Sequence, residues 1–259
     1  MDDEILYAVE GGIGTITLNR PQARNALTFA MYERLAAICA DPAAHGAPKV
    51  LIVTGAGEQA FAAGTDIAQF RAFATPEDAL AYEERIEAVI TAMECCPIPT
   101  IAAISGAVTG GGGSIACACD LRIATASARF GYPIARTLGN CLSMANYARL
   151  AALLGPARVK DIVFTARLIE AQEGLRIGLY SEVVADHAAL MARARILATT
   201  IAGHAPLTMR ATKEALRRLA KAAVPDDGND LVVMCYGSAD FREGMEAFLG
   251  KRAPRWQGH

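Results

Sequence analysis

An excess of charge of either sign is missing from this chain. Its 25 lysines and arginines stand against 27 aspartates and glutamates over 259 residues, a formal net charge of -2. Such a balance gives no global attraction to nucleic acid or to anionic lipid, so an anionic ligand has to be met by a local site. Disulfide and zinc frameworks are missing as well. The seven cysteines are an odd number, with Cys95 and Cys96 adjacent and Cys117 and Cys119 alternating, which fits neither spacing. A reducing compartment is expected, and no bound metal. The opening "MDDEILYAVEGG" lacks the basic start and apolar core of a signal peptide, so the expected location is cytoplasmic. Histidine is scarce: of the four, His45 falls in a Gly/Pro-rich loop, His187 starts a helix, His204 sits between helices and His259 ends the chain. None reads as a base.

One uncharged stretch, Cys95 to Cys119, is long enough to cross a bilayer. It contains Pro97, Pro99 and five glycines, poor material for an isolated membrane helix, so a buried strand, turn and helix is expected and no membrane partner.

What is present is strand and helix in alternation. "LYAVEGGIGTITLNRP" reads as a hairpin turning at Gly11-Gly12, and "KVLIVTGAG" and "PTIAAISG" as strands buried on both faces. Between them Thr75-Pro76-Glu77-Asp78 opens a helix, with Ile86, Val89, Ile90 and Met93 at helical spacing. From about Met144 the pattern turns helical: one helix stops at Gly155, Pro156 restarts the next, and "SEVVADHAALMARARILATTIAGHAP" gives a short strand and a long helix. The class is α/β, one main domain over residues 1–200 with a helical C-terminal region over 201–259. No fixed-period repeat and no low-complexity tract is present.

Four consecutive glycines, Gly110 to Gly113, stand between a buried strand and a helix. Glycine there costs chain entropy, and consecutive backbone N–H groups at a helix N-terminus favour negative charge. Close strand-to-helix packing is the plainer explanation, though one or two glycines satisfy it. A second turn, "TGAGEQAFAAGTDI", exposes backbone around Ala63, Gly64 and Thr65. Two such turns aiming one N–H each at a single oxygen form an oxyanion hole, worth on the order of 3 kcal/mol per donor. A rival begins in the same segment: Gly55-x-Gly57-x-x-Ala60 resembles a dinucleotide fingerprint, which would make the chain a nicotinamide-dependent oxidoreductase.

Seven stretches, in order, resemble the enoyl-CoA hydratase/isomerase (crotonase) family over nearly the whole length: "ITLNRPQARNAL", "AFAAGTDI", "PTIAAISGAVTGGGGSIACACDLRIA", "RFGYPIARTLG", "LLGPARVKDIVFTARLIEAQEGLRIGLYSEVV", "TMRATKEAL" and "DFREGMEAFLGKRAP". The resemblance implies a spiral of ββα units whose helical C-terminal region assembles homotrimers, or dimers of trimers. It implies an acyl-CoA thioester as ligand, coenzyme A entering only as part of the substrate, with no separate cofactor. By position the oxyanion donors would be the N–H groups of Thr65 and Gly111. Arg24, Ala26, Ala63, Asp66, Ile67 and Gly110 would contact the CoA and its thioester, joined by Phe248 and Lys251 from the C-terminal helix.

The same resemblance exposes a departure. A hydratase of this family carries two glutamates where this chain has Ser114 and Ile134. Hydration needs one group to deprotonate water and another to protonate the α-carbon, each role typically worth about 10²- to 10⁴-fold. Efficient hydration is therefore not expected; decarboxylation, thioester hydrolysis or C–C cleavage fits better, and a non-catalytic acyl-CoA-binding homologue is the alternative. The remaining candidates are Ser114, Tyr132 as a weak acid or a packing residue, and Cys141, whose thiol would take a proton only if its pKa were lowered. Glu83, Glu84 and Glu87 lie on the helix after the first turn, a face that can border the acyl pocket and lend one of them to it, although solvated charges are the plainer reading. Residues 70–82 and 136–147 would form the far wall of the acyl pocket, with Arg136 facing an acidic tail or a structural partner.

Overall fold

The computed structural model describes residues 3–222 and 228–259. Gly11 and Gly12 adopt φ of 59° and 77°, the two-residue turn whose twist matches a hairpin, and join strand β1 (Ile5–Glu10) to antiparallel β2 (Ile13–Leu18). The larger sheet continues in parallel through β3 (Val50–Gly55), β5 (Thr100–Ile104), β7 (Leu121–Thr125) and β10 (Glu182–Val184), in the order β1-β2-β3-β5-β7-β10. A smaller sheet holds β4 (Ala60–Ala62), β6 (Ala107–Thr109), β8 (Arg129–Gly131) and β9 (Ile169–Glu170).

Successive strands alternate between the sheets before each helix. β3 and β4 lead to α2 (Pro76–Glu94), β5 and β6 to α3 (Gly111–Ala118), and β7 and β8 to α4 (Ile134–Thr137). This is the expected ββα spiral, and the uncharged run from Cys95 to Cys119 folds as its middle turn. The repeat lives in the backbone path, which is why no sequence period announces it.

Strand periodicity sorts side chains between two cores. Ile16, Leu18, Leu51, Val53, Ala102 and Ile104 face the main core with α1 (Phe29–Ala40), α2 and α3. Their neighbours Val50, Ile52, Ile101, Ala103 and Ile123 face a second core closed by Leu190, Ala194 and Ala198 of α8 (His187–Ala202). Continuous apolar strands follow from being covered on both faces.

Helices α5 (Met144–Leu154), α6 (Pro156–Phe164) and α7 (Ala171–Arg176) precede α8. Beyond it come α9 (Pro206–Ala222), α10 (Asn229–Tyr236) and α11 (Ala239–Leu249). The last two fold back over the main core. Tyr236 and Phe241, with ring centroids 4.7 Å apart, join Phe70, Phe73 and Tyr82 in one aromatic cluster. That cluster roofs the N-terminal half of α2.

The dinucleotide alternative fails on the backbone. After Gly55 the chain runs straight into β4, and a Cβ at Gly55 would overlap the carbonyls of Ala60 and Phe61. Gly55 is there for that strand-to-strand approach, and no helix begins beside it to receive a pyrophosphate.

Candidate active site

The two glycine turns touch. They follow β4 and β6, which pair in parallel, and both depend on glycine: φ is 107° at Gly64 and 51° at Gly110, and a Cβ on Gly110 would stand 3.4 Å from the Cα of Gly64. On its other edge the first turn is pinned by Leu27, whose N–H donates to Gly64 O at 2.8 Å while Asp66 N–H donates to Leu27 O at 2.8 Å. Peptide groups alternate sides along an extended segment, so the Thr65 N–H is directed away from Leu27. It has no backbone acceptor among the described residues. The Gly111 N–H is the first of α3, one of the donors a helix leaves without an internal acceptor.

Thr65 is clamped by two tyrosines. Its Oγ1 lies 2.9 Å from the Tyr32 hydroxyl and 2.9 Å from the Tyr82 hydroxyl. Burial holds both phenols above their ordinary pKa, so they stay protonated and available as donors. The glycine run is packed just as closely. A Cβ at Gly111 would overlap the Tyr32 hydroxyl, one at Gly112 the Ala62 carbonyl, and one at Gly113 would come within 2.8 Å of the Tyr132 hydroxyl. Close packing thus explains three of the four glycines, more than the one or two expected, and positive φ explains Gly110.

The rim is built from residues 20–27. Asn25, fully buried at φ 56°, donates through Nδ2 to Ala60 O at 2.7 Å and Ala56 O at 3.1 Å, and its Oδ1 accepts from Arg20 N–H at 3.0 Å. That strut holds Arg24 O where it accepts from Ala63 N–H at 3.0 Å. Arg24 and Ala63 are exposed there, with Ala26, Ile67 and Asp66 half-buried behind them. The Asp66 carboxylate caps Ala68 N–H at 3.2 Å and pairs with Arg20 at 3.0 Å. Sequence reasoning missed Arg20, Asn25, Tyr32 and Tyr82; only the unusual Asn after Arg24 offered a signal. Phe248 and Lys251 lie exposed at the end of α11. Arg136 is also exposed.

Behind the turns, Ser114 is 3% exposed with its hydroxyl 3.4 Å from that of Tyr132. Tyr132 is fully buried, and desolvation raises its pKa well above the ordinary phenol value. Its ring fills the space under α3. Ile134 is buried and apolar. The Cys141 thiol donates to Leu231 O at 3.4 Å; the hydrogen bond with Cys235 and burial push its pKa up, the opposite of what proton uptake requires.

The α2 acids need correction. Glu87 is not a solvated charge: with Glu94 it binds Arg149 of α5, through contacts that include 2.9 Å from Arg149 Nη1 to Glu87 Oε2 and 2.7 Å from Nε to Glu94 Oε1. Glu83 is turned inward. It accepts from the Tyr236 hydroxyl at 2.6 Å, and desolvation raises its pKa to about 7. Glu84 alone of the three is exposed. A separate cleft of about 280 Å³ lies at the far end of α2, lined by Glu94, Cys95, Lys213 and Arg218 among others. Glu94 is twelve residues beyond Tyr82, roughly 18 Å along the helix, so that cleft does not belong to this site.

A family model described as enoyl-CoA hydratase/isomerase matches residues 8–259. A short-chain-enoyl-CoA hydratase from Clostridium acetobutylicum is 32% identical, with 96% of each chain covered. Among solved structures, an enoyl-CoA hydratase/carnithine racemase from Magnetospirillum magneticum is similar at 35% identity and a TM-score of 0.79, covering 100% of this chain and 97% of the other. A methylmalonyl-CoA decarboxylase in complex with 2-nitronate-propionyl-CoA is similar at 27% identity and a TM-score of 0.89, covering 99% of both. The chain belongs to the enoyl-CoA hydratase/isomerase (crotonase) family of enzymes.

Proposed function

We propose that this enzyme binds an acyl-CoA thioester with its carbonyl oxygen between the N–H groups of Thr65 and Gly111, and turns it over through an enolate without efficient hydration. The observation that carries the reading is the contact of the Gly64 and Gly110 turns, each followed by an N–H that has no backbone acceptor among the described residues. As negative charge gathers on the thioester oxygen, each preorganised donor lowers the barrier by about 3 kcal/mol. Arg24 and Ala26 would receive the phosphates and pantetheine, Ala63, Asp66 and Ile67 would line the adenine side, and Gly110 would border the thioester, with Phe248 and Lys251 closing over the CoA.

Neither Ser114 nor Ile134 ionises near neutral pH, so neither can activate water. Decarboxylation of a β-carboxyl acyl-CoA avoids this requirement. The C–C bond to the carboxylate breaks, carbon dioxide leaves, and the electron pair enters the enolate held by the two donors. The likeness to a methylmalonyl-CoA decarboxylase at a TM-score of 0.89 favours this over thioester hydrolysis or other C–C cleavage.

A homotrimer belongs to the same reading, since Leu216 and Leu219 stand one turn apart on α9 at 62% and 71% exposure, apolar surface that a neighbouring copy would cover. All seven cysteines are free, which supports a reducing, cytoplasmic setting.

Proton NMR time courses with crotonyl-CoA and methylmalonyl-CoA test the proposal. Line broadening of both, no 3-hydroxybutyryl-CoA, and propionyl-CoA formed from the second are expected. Fast hydration would overturn the altered chemistry; binding without any product would favour a non-catalytic homologue; no binding would sink the acyl-CoA reading altogether.

A further inference from the structure

We infer that the Glu83 carboxyl carries the proton to and from the α-carbon of the bound acyl group, the task left vacant by Ser114 and Ile134. The inference rests on the acyl-CoA reading above and assigns a residue that this reading lacks.

Glu83 follows Tyr82, whose hydroxyl holds Thr65, and its carboxyl is bonded to Tyr236, whose ring centroid lies 6.2 Å from that of Tyr82. Its field reaches Tyr32 of α1, Tyr82 of α2, Tyr147 of α5, Tyr236 of α10 and Cys141 of the intervening loop, raising the pKa of each. Glu83 therefore stands among these four phenols and a thiol, between the oxyanion turns and the segments expected to wall the acyl chain.

The bonding around it is one-sided. Asn140 Nδ2 donates to the Tyr236 oxygen at 3.1 Å, and the Tyr236 hydroxyl donates to Glu83 Oε1 at 2.6 Å. No described residue donates to Oε2, and no described cation pairs with the carboxylate. Asn140 Oδ1 is buried with no partner of its own. Four residues further along α2, Glu87 shows the ordinary arrangement, its charge matched by Arg149. A half-buried carboxyl without a counter-ion costs stability that a glutamine, making the same bond to Tyr236, would not incur. Such a group marks a site where its proton is used.

In the acidic direction Oε2–H breaks, the proton bonds to the enolate α-carbon, the enolate electron pair forms that C–H bond, and the oxygen loses its charge to become the thioester carbonyl again. In the reverse direction the Glu83 carboxylate removes an α-proton and the charge returns to the oxygen between Thr65 and Gly111. Of the facing groups, the phenols and Cys141 stay neutral near pH 7 with their raised pKa values, and Glu87 is held by Arg149. With its pKa raised to about 7, Glu83 is both a usable acid and a usable base there.

The test is deuterium wash-in at the α-carbon of propionyl-CoA in D2O, followed by NMR on the full chain, with affinity measured by calorimetry. Wild type should incorporate deuterium at a rate that rises as pH passes about 7. Glu83→Gln should slow it about 100-fold or more, flatten that pH profile, and keep propionyl-CoA affinity within about threefold, because the glutamine retains the bond to Tyr236. Glu83→Asp should recover part of the rate. Wild-type exchange in Glu83→Gln, or wild-type binding without exchange, overturns the assignment while leaving the acyl-CoA reading intact. Absence of binding by wild type overturns both.

Discussion

The hydroxyl of Tyr32 and the backbone of Gly111 occupy adjoining space, so that a single methyl group on Gly111 would overlap the phenol oxygen. Tyr32 comes from α1 and is fully buried. The start of α3 is therefore set by a side chain some eighty residues earlier in the chain.

Gly111→Ala should destabilise the protein by about 1–3 kcal/mol through overpacking. Tyr32→Phe removes the offending oxygen, so the double variant should be more stable than the sum of the two changes by about 1 kcal/mol. Urea unfolding of the four proteins checks this. Additivity within error would mean that the helix start shifts freely.

Thr65→Val keeps the backbone N–H and the side-chain shape but leaves the two tyrosine hydroxyls without their shared partner. A buried unsatisfied hydroxyl costs about 1–3 kcal/mol, and a loss of this size in the urea midpoint is expected. Turnover of a productive acyl-CoA should fall far less than in Gly111→Pro, which removes a donor outright.

Glu83 makes stability depend on pH in a direction opposite to most carboxylates. Its folded pKa of about 7 lies above the ordinary glutamate value of 4.5, so between those limits the folded state binds more protons than the unfolded one. The contribution is complete below about pH 4.5 and is lost as pH rises through about 7. Two and a half pH units correspond to about 3 kcal/mol. Glu83→Gln should consequently match wild type near pH 4.5 and exceed it by up to that amount at pH 8, read by chemical denaturation. Equal stability at both pH values would place the carboxyl in water.

Arg149→Met should cost about 2 kcal/mol, below the range for a fully buried pair because Glu87 and Glu94 keep 27% and 28% exposure. Urea unfolding of the variant beside wild type checks this, and an unchanged midpoint would mean that the pair holds nothing together.

Much of the fold was legible because it rests on local rules. The Gly11-Gly12 hairpin, the doubly buried β3 and β5, and the Gly155-Pro156 break between α5 and α6 each follow from a few adjacent residues. The ββα spiral came through the family motifs, since each turn of it spans unlike sequence. The site was legible only as two glycine-bearing turns. That Tyr32, Tyr82 and Asn25 brace them depends on contacts 33, 17 and 35 residues apart, which no window along the chain reveals. Which of the α2 acids turns inward was not legible for a related reason: Glu84 and Glu87 face water and Arg149, and only α10, folded back from the other end of the chain, brings Tyr236 to Glu83.

An N–H group is common to every residue except proline, so the anion-holding part of this site does not depend on which side chains occupy positions 65 and 111, only on the braces behind them. Proton handling has no such insurance, because it needs a particular ionisable group at a particular spot. The touching turns of Gly64 and Gly110 therefore separate two kinds of heritable change. Side chains at 114, 134 and 83 can be exchanged, and the reaction with them, while the cradle for the thioester stays where Tyr32 and Asn25 hold it.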